Sequence, residues 1–472
     1  MVFNSLTFIL FFLAVTGVSQ SRASWGLRKC ALTLFSYAFY AAWYPATILL
    51  LWASTTLDFL VTHGMARARS SSARRLLLVS SLGLNLGLLG FYKYSAFFAL
   101  NANLLLTRLG LEAAIAVPHV VLPVGISFYT FMSLAFVIDV YRGRAQPPKS
   151  FLDFALFLTF YPHLVAGPIV RSQDFLPQCE QPRSATTRQI SWGLTLIAFG
   201  LFEKTVLADA LLAPVADRMF AAARLGAMDA WVGALAFSGQ IFCDFAGYST
   251  CAVGAAACLG FMLPRNFKNP YSAAGFSEFW QRWHMSLSTW LRDYLYISLG
   301  GNRKGPWRTL ANLLVTMLLG GLWHGASWMF LAWGALHGFY LCVERMLRPV
   351  LQPFALSRRT LVRPFAVALT FVAVTLAWVP FRAPNAETAV RMVRAMAGSN
   401  GLTHLVLNKF EALIVLLTVA GILASQNLFR DVSLEEVADR APQSVAVLAL
   451  SAMIVMIATM AGDDRSFIYF QF

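Results

Sequence analysis

The feature that most constrains this chain is the repetition of apolar stretches long enough to cross a lipid bilayer. A membrane-spanning α-helix needs about 20 consecutive apolar residues. Such stretches lie near residues 2–20, 30–52, 76–100, 113–140, 151–170, 189–212, 229–262, 309–322, 326–346, 362–381, 409–427 and 443–461. They predict an all-α polytopic membrane protein with about 11 to 13 membrane helices, joined by re-entrant or interfacial helices.

The composition supports a membrane protein and argues against a nucleic-acid-binding protein. Charged residues make up 12% of the chain, whereas soluble domains carry about a quarter, and the mean hydropathy is +0.63. The net charge of +15 comes from Lys and Arg in short loops between apolar stretches, such as Arg67, Arg69, Arg74 and Arg75. This distribution is typical of loops retained on the cytoplasmic side of a membrane.

Neither the cysteines nor the first residues indicate another class of protein. The six cysteines contain no CxxC pair and lie mostly in apolar stretches, which favours core packing over a disulfide framework or a metal site. Residues Asn4 to Val18 are as apolar as a signal peptide, but no Lys or Arg precedes Arg22. We therefore predict an uncleaved first span with its N-terminus outside.

Residues 264–308 interrupt the apolar pattern with a basic, aromatic segment. Within Ser277–Leu299, aromatic residues recur near helical spacing along one side: Phe279, Trp283, Trp290 and Tyr294. This pattern predicts an amphipathic helix that lies in, or dips into, the cytoplasmic interface. Such a helix is either an interfacial anchor or a donor-side wall, whose arginines bind the phosphates of coenzyme A.

Two histidines lie in apolar sequence. His324 follows Gly320, Gly321 and Trp323, and His337 comes thirteen residues later. A histidine at membrane depth is costly to bury, so it usually faces a cavity and has a function. The alternative is a core histidine that bonds to a backbone carbonyl.

Gln240 and Asp244 are four residues apart, which places them on one face of a helix in the 229–262 stretch. A carboxylate there indicates either the ion-coupling site of a transporter or a hydrogen-bond node within the bundle. The hydrogen-bond node is the favoured interpretation.

A series of motifs, in order, resembles the membrane-bound O-acyltransferase family, and within it the membrane subunits of alginate-type O-acetyltransferases. The motifs are Phe91-Tyr-Lys-Tyr94, Leu122-Pro-Val-Gly-Ile-Ser-Phe-Tyr129, Ile138-Asp-Val-Tyr-Arg142, Pro162-His-Leu-Val-Ala-Gly-Pro168, Asn266-Phe-Lys-Asn-Pro-Tyr271, Glu278-Phe-Trp-Gln-Arg-Trp-His284, Trp290-Leu-Arg-Asp-Tyr-Leu-Tyr296, Leu299-Gly-Gly-Asn-Arg-Lys304 and Leu319-Gly-Gly-Leu-Trp-His-Gly325. The resemblance extends to about residue 350 and is looser beyond it. It implies one transmembrane domain over 1–472 that encloses a tunnel entered by the donor from the cytoplasm.

The resemblance also implies roles for individual residues. His324 matches the catalytic histidine, and His284 matches a second functional polar position. The candidate substrate-binding residues are Gln240, Asp244, Arg282, Trp283, Trp290, Arg292, Asp293 and Trp323. One position departs from the alginate-type pattern, because Thr250 follows Gly-Tyr-Ser where that pattern has an acidic residue.

The C-terminal tail, residues 463–472, carries Phe467, Tyr469 and Phe472 in a Phe-x-Tyr-x-x-Phe motif. A similar motif ends a small partner protein of the bacterial D-alanine-transfer system, in which the Tyr is thought to carry the acyl group. Here Tyr469 is the candidate nucleophile, with a histidine taking its proton. The alternative is an interfacial aromatic belt.

The expected function is an O-acetyltransferase of the bacterial inner membrane that passes acetyl groups, from acetyl-CoA and without a metal, towards an exported or cell-surface polysaccharide. An extracytoplasmic acetyltransferase is the expected protein partner, and membrane lipid surrounds the spans. The alternatives are a transferase of D-alanine or another acyl group and, in another class, a polysaccharide or ion-coupled transporter.

Overall fold

The computed structural model describes residues 5–111, 114–357, 359–403 and 406–460, together with Arg465, Phe467 and Ile468; over 350–357 and 359–361 only the helical backbone is described. These residues form helices joined by loops, and none of them belongs to a β-strand. The prediction of an all-α polytopic membrane protein is confirmed. The chain divides into two compact units, residues 1–197 with 251–264 and residues 198–250 with 265–472.

The first unit is built from eight complete helices among the described residues. They are α1 (Leu6–Ser19), α2 (Trp25–Ala41), α3 (Ile48–Arg67), α4 (Ser71–Arg108), α5 (Ile126–Tyr141), α6 (Phe151–Thr159), α7 (Tyr161–Leu164) and α8 (Ser172–Glu180). The next helix, α9 (Thr187–Leu201), crosses the boundary between the units in sequence.

The predicted span at 30–52 is wrong, because it joins the end of one helix to the start of another. The chain leaves α2 after Ala41 and enters α3 at Ile48, through a 3₁₀ turn that starts at Pro45. α3 also contains polar residues. One of them, Asp58, is fully buried and accepts hydrogen bonds from polar side chains of α4 and α5: Ser81, Asn85 and Ser133.

The second unit contains the remaining helices of the described chain. A π-helical segment (Phe202–Leu212) is followed by α10 (Ala213–Ala221) and α11 (Ala227–Cys258), whose last residues belong to the first unit. After them come α12 (Phe276–Arg282), α13 (Met285–Trp290), a second π-helical segment (Leu291–Tyr296), α14 (Pro306–His324), α15 (Trp328–Ser357), α16 (Arg359–Arg382), α17 (Ala386–Met396), α18 (Lys409–Leu428), α19 (Leu434–Arg440) and α20 (Gln443–Thr459).

Five helices of the described chain are long and apolar enough, by length and composition, to cross a membrane. They are Pro45–Arg67, Ser71–Arg108, Ala227–Cys258, Val362–Arg382 and Lys409–Leu428. Leu6–Ser19, Ile126–Tyr141 and Gln443–Thr459 are shorter apolar helices. The total of about 11 to 13 membrane helices, reckoned at about 20 residues each, stays a prediction.

The single amphipathic helix expected over Ser277–Leu299 is not present. The chain makes two short helices, α12 and α13, which are separated at Trp283 and His284. His284 adopts the left-handed conformation, with φ of 41°, and a right-handed helix cannot continue through it. The aromatic side chains of this segment are packed in the protein, since Phe279, Trp283 and Trp290 are exposed by 1%, 1% and 8%.

Candidate active site

The hairpin of α14 and α15 places His324 at a sharp reversal of the chain. His324 is the last residue of α14, and α15 begins at Trp328. Glycines let the two helices approach closely. A Cβ at Gly321 would lie 2.3 Å from the carbonyl oxygen of Phe330, and one at Gly334 would lie 2.4 Å from that of Met317. The close contact between the two backbones therefore fixes the position of His324 at the end of α14.

The His324 side chain is 3% exposed and surrounded by aromatic rings. Its ring centroid lies 5.0 Å from Trp323, 4.9 Å from Trp333 and 5.3 Å from Phe381, each in an edge-on arrangement. The imidazole of His324 is therefore held within an aromatic environment.

His284 is fully buried and packs against Trp323. Its ring centroid is 5.8 Å from that of Trp323 and 4.6 Å from that of Phe245. Nδ1 lies 3.2 Å from Oδ1 of Asn266, which also accepts a hydrogen bond from the Ser286 hydroxyl at 2.8 Å. Burial lowers the pKa of the His284 imidazole to about 3. Trp323 thus contacts both imidazoles, and His284 stays neutral at physiological pH.

His337 is fully buried among aromatic rings that include Trp280 and Trp333. Neither ring nitrogen has a hydrogen-bond partner among the described residues. The core histidine that bonds to a carbonyl is therefore not seen here. Trp333 contacts the rings of both His337 and His324.

Asp244 belongs to a buried ionic cluster in the second unit. It forms a salt bridge with Lys204, and Lys204 also contacts Asp209 at 2.9 Å. A Cβ on Gly247 would lie 2.5 Å from the carbonyl oxygen of Gly200, so α11 packs tightly on the segment that carries Lys204. Gln240, one turn before Asp244, is 8% exposed, and its side-chain oxygen has no partner among the described residues.

Of the two arginines predicted to contact the donor, one is buried and the other is largely exposed. Arg282 is 8% exposed, and its guanidinium donates to Glu278 and Asp431, each at 2.9 Å. The hydrogen bond from Arg282 lowers the pKa of Asp431. Arg292, by contrast, has a side chain that is 60% exposed and pairs with Asp293 at 2.8 Å.

The two tryptophans of the same segment are buried. Trp283 packs 5.0 Å from Trp378 and 5.5 Å from Phe279, whereas Trp290 packs 5.2 Å from Tyr294. Their packing stabilises the protein interior. Trp323 is the candidate substrate-binding residue that contacts both His284 and His324.

Part of the C-terminal tail is packed in the second unit. Arg465 forms a salt bridge with Asp217, Phe467 is 1% exposed, and the backbone N–H of Ile468 donates to Asp244 at 2.9 Å. Tyr469, the candidate acyl carrier, lies outside the described residues, as does Phe472.

Sequence reasoning missed several residues of this site. Asn266 and Ser286 hold the turn at His284, and Phe245 and Phe381 line the two imidazoles. Lys204 could have been identified from the sequence, because it is an ionisable residue within the apolar stretch 189–212. Within the described part of the chain, no group of three or more His, Cys, Asp or Glu side chains is arranged to hold a metal ion.

Comparison with known proteins identifies the family. The family model for membrane-bound O-acyltransferases matches residues 141–379. A probable alginate O-acetylase of Pseudomonas putida is 43% identical over 399 residues, which cover 84% of this chain and 80% of that protein. A peptidoglycan O-acetyltransferase of Helicobacter pylori is 36% identical over 441 residues, 87% and 82% of the two chains. A teichoic acid D-alanyltransferase of Streptococcus thermophilus is 30% identical over 233 residues, 47% and 56%.

The helical fold and these matches define a multi-pass membrane enzyme that transfers acyl groups. The chain belongs to the membrane-bound O-acyltransferase family. Membership decides between the enzyme and the transporter in favour of an acyltransferase of the O-acetyltransferase type.

Proposed function

We propose that this protein is the membrane component of a bacterial polysaccharide O-acetylation system, acting in the inner membrane as one transmembrane domain over 1–472. It passes acetyl groups from a cytoplasmic donor to an exported or cell-surface polysaccharide, alginate-like or another exopolysaccharide. The observation that carries the proposal is His324, which is buried among aromatic rings where α14 turns into α15. The similarity to alginate and peptidoglycan O-acetylating proteins supports the choice of group and acceptor class.

In the proposed reaction His324 is the general base. Its neutral imidazole takes the proton of the accepting hydroxyl, whose oxygen attacks the carbonyl carbon of the acetyl thioester. A new C–O bond forms and the C–S bond breaks. The imidazolium then returns the proton to the departing thiolate, which leaves as a free thiol, so that His324 ends as it began.

Acetyl-CoA is the proposed donor. Arg292 is suited to its phosphates, because the guanidinium is largely exposed. Arg282 would act differently, since its hydrogen bonds to Glu278 and Asp431 orient the same segment. We assign Trp283, Trp290, Asp293 and Gln240 to the walls of the donor and acceptor path, and Trp323 and His284 to the site where the acetyl group is transferred.

Tyr469 is the proposed first acceptor. Its phenolic oxygen would receive the acetyl group as an ester, and a separate extracytoplasmic acetyltransferase would move that group to a sugar hydroxyl. The C-terminal motif supports this role, and so does the packing of the residues just before it.

The decisive experiment is mass spectrometry of the C-terminal peptide, from protein purified out of cells that make the polymer. We expect an acetyl group on Tyr469 in the wild type and none in His324→Ala. The matched control is His119→Ala, which removes an exposed histidine. Normal polymer acetylation by a membrane-inserted His324→Ala protein would refute the assignment of His324. An unmodified Tyr469, with polymer acetylation unchanged in Tyr469→Phe, would refute the relay alone.

Transfer of D-alanine is the second candidate, favoured by the 30% identity to a teichoic acid D-alanyltransferase. His324 would be the general base in either reaction. The acyl donor therefore distinguishes transfer of D-alanine from transfer of acetyl. Reconstituted protein supplied separately with labelled acetyl-CoA and with a labelled D-alanyl thioester should incorporate label from the acetyl donor. Label from the D-alanyl donor alone would replace the proposed function with this one.

A further inference from the structure

We propose that the second unit contains a binding site for residues of the protein's own tail, Arg465, Phe467 and Ile468, in which Asp217 recognises Arg465 and Asp244 recognises the backbone at Ile468. The site holds these residues in one register beside the buried imidazole of His284. Its role in presenting Tyr469 rests on the function proposed above, whereas the binding site itself does not.

The first contact is electrostatic. Asp217, near the middle of α10, forms salt bridges with Arg465 and with Arg382. The Asp217 side chain is 37% exposed and that of Arg465 is 29% exposed, so the pair is partly shielded from water. One carboxylate therefore joins the tail segment to the end of α16.

The second contact is an aromatic slot. Phe467 is 1% exposed and stacks on Tyr248, with ring centroids 4.6 Å apart and planes inclined by 28°. It also packs 5.6 Å from Phe245. Both slot residues lie on α11, one turn apart, and so form one face of that helix.

The third contact is a hydrogen bond to the main chain. The Ile468 N–H donates to Oδ2 of Asp244 at 2.9 Å, and both residues are buried, with exposed fractions of 4% and 2%. Asp244 is held in place by Lys204. A hydrogen bond to the backbone fixes the register of the tail whatever the side chain of the donor residue is. Asp244 is thus a positioning residue for the tail.

The slot is one ring away from His284. Phe245 packs against both Phe467 and His284, with ring centroids 5.6 Å and 4.6 Å apart. Consecutive Cα atoms are about 3.8 Å apart, so holding Ile468 restricts how far the next residue can travel. A tail held in this register suits delivery of one particular side chain, Tyr469, to the buried histidines His284 and His324.

The test removes the backbone donor at position 468. Ile468→Pro has no N–H, and Ile468→Val keeps the N–H and a branched apolar side chain. Purified, N-terminally tagged proteins are digested with a carboxypeptidase, and intact-mass spectrometry follows the release of Phe472, Gln471 and Phe470, all of which are removed before cleavage reaches position 468. We expect Ile468→Pro to be trimmed at least tenfold faster than the wild type and Ile468→Val to stay within twofold.

A second variant tests the salt bridge independently. Arg465→Glu places a carboxylate against Asp217 and should also be trimmed at least tenfold faster, whereas Arg465→Lys should behave like the wild type. Trimming of both Ile468→Pro and Arg465→Glu at the wild-type rate would overturn the binding site.

Acetylation of the same variants tests the proposed function separately. Faster trimming with a tenfold loss of acetyl on Tyr469 and on the polymer supports both proposals. Faster trimming with unchanged polymer acetylation supports the binding site and refutes the relay through Tyr469.

Discussion

His284 and Asn266 meet at a turn where the backbone cannot remain helical. Nδ1 of His284 lies 3.2 Å from Oδ1 of Asn266, and His284 has a φ of 41°. The backbone is tied at the same point, since the N–H of Met285 donates to the carbonyl of Asn266 at 2.8 Å. The position of the buried imidazole therefore depends on a residue eighteen positions earlier in the sequence.

Replacing Asn266 with Ala should loosen this turn. The buried groups that now bond to its amide oxygen lose their acceptor, which costs about 1–3 kcal/mol of stability. We expect a lower melting temperature in detergent and at least a tenfold lower rate of acetyl incorporation. Ser286→Ala removes one donor to the same oxygen and should have a smaller effect, about 1 kcal/mol. Equal stability and activity of Asn266→Ala and wild type would contradict this account.

The buried His284 should make stability depend on pH in one direction. Its pKa falls from 6.5 to about 3 on folding, so between these values the unfolded chain binds the proton and the folded protein does not. The contribution of His284 to the free energy of unfolding is constant above pH 6.5. It is lost as the pH falls towards 3, by about 1.4 kcal/mol per pH unit per proton. His284→Asn suits the positive φ and does not titrate, so its unfolding profile over this window should be flatter. Parallel profiles would exclude His284 as the source.

Gly321→Ala should separate α14 from α15. The new Cβ would lie 2.3 Å from the carbonyl oxygen of Phe330, so the helices must move apart and carry His324 with them. Strain of this kind typically costs about 1–3 kcal/mol, and we expect at least a tenfold loss of activity. Gly421→Ala in α18 is the control, since a Cβ there has no atom within 4 Å, and helix propensity should stabilise it by about 1 kcal/mol. Full activity of Gly321→Ala would show that the close approach is not required.

Removing Lys204 should be far more damaging than removing an exposed partner of a salt bridge. Lys204→Met leaves Asp244 and Asp209 buried without their cation, and breaking a buried pair costs about 3–5 kcal/mol. In the partly exposed pair of Arg218 with Glu411, Arg218→Ala should cost about 1 kcal/mol or less. Melting curves of the two variants in the same detergent compare them directly. A small, equal shift for both would mean that the buried cluster contributes little.

The sequence by itself determined where several of the apolar helices lie. The predicted stretches 409–427 and 443–461 correspond to the helices Lys409–Leu428 and Gln443–Thr459. This works because span length and hydropathy are local properties, set by the thickness of the bilayer. The same logic singled out His324 and Asp244, since a polar side chain stands out in an apolar stretch. Both are buried in the structure.

Only the tertiary structure decided how those residues are connected. The break at His284 depends on Asn266, the aromatic cage of His324 draws Phe381 from another helix, and Asp244 is shared between Lys204 and the backbone of Ile468. Each contact joins residues far apart in the chain. Helical periodicity reports the faces of a single helix, whereas the partner of a buried imidazole or carboxylate is set by packing between helices.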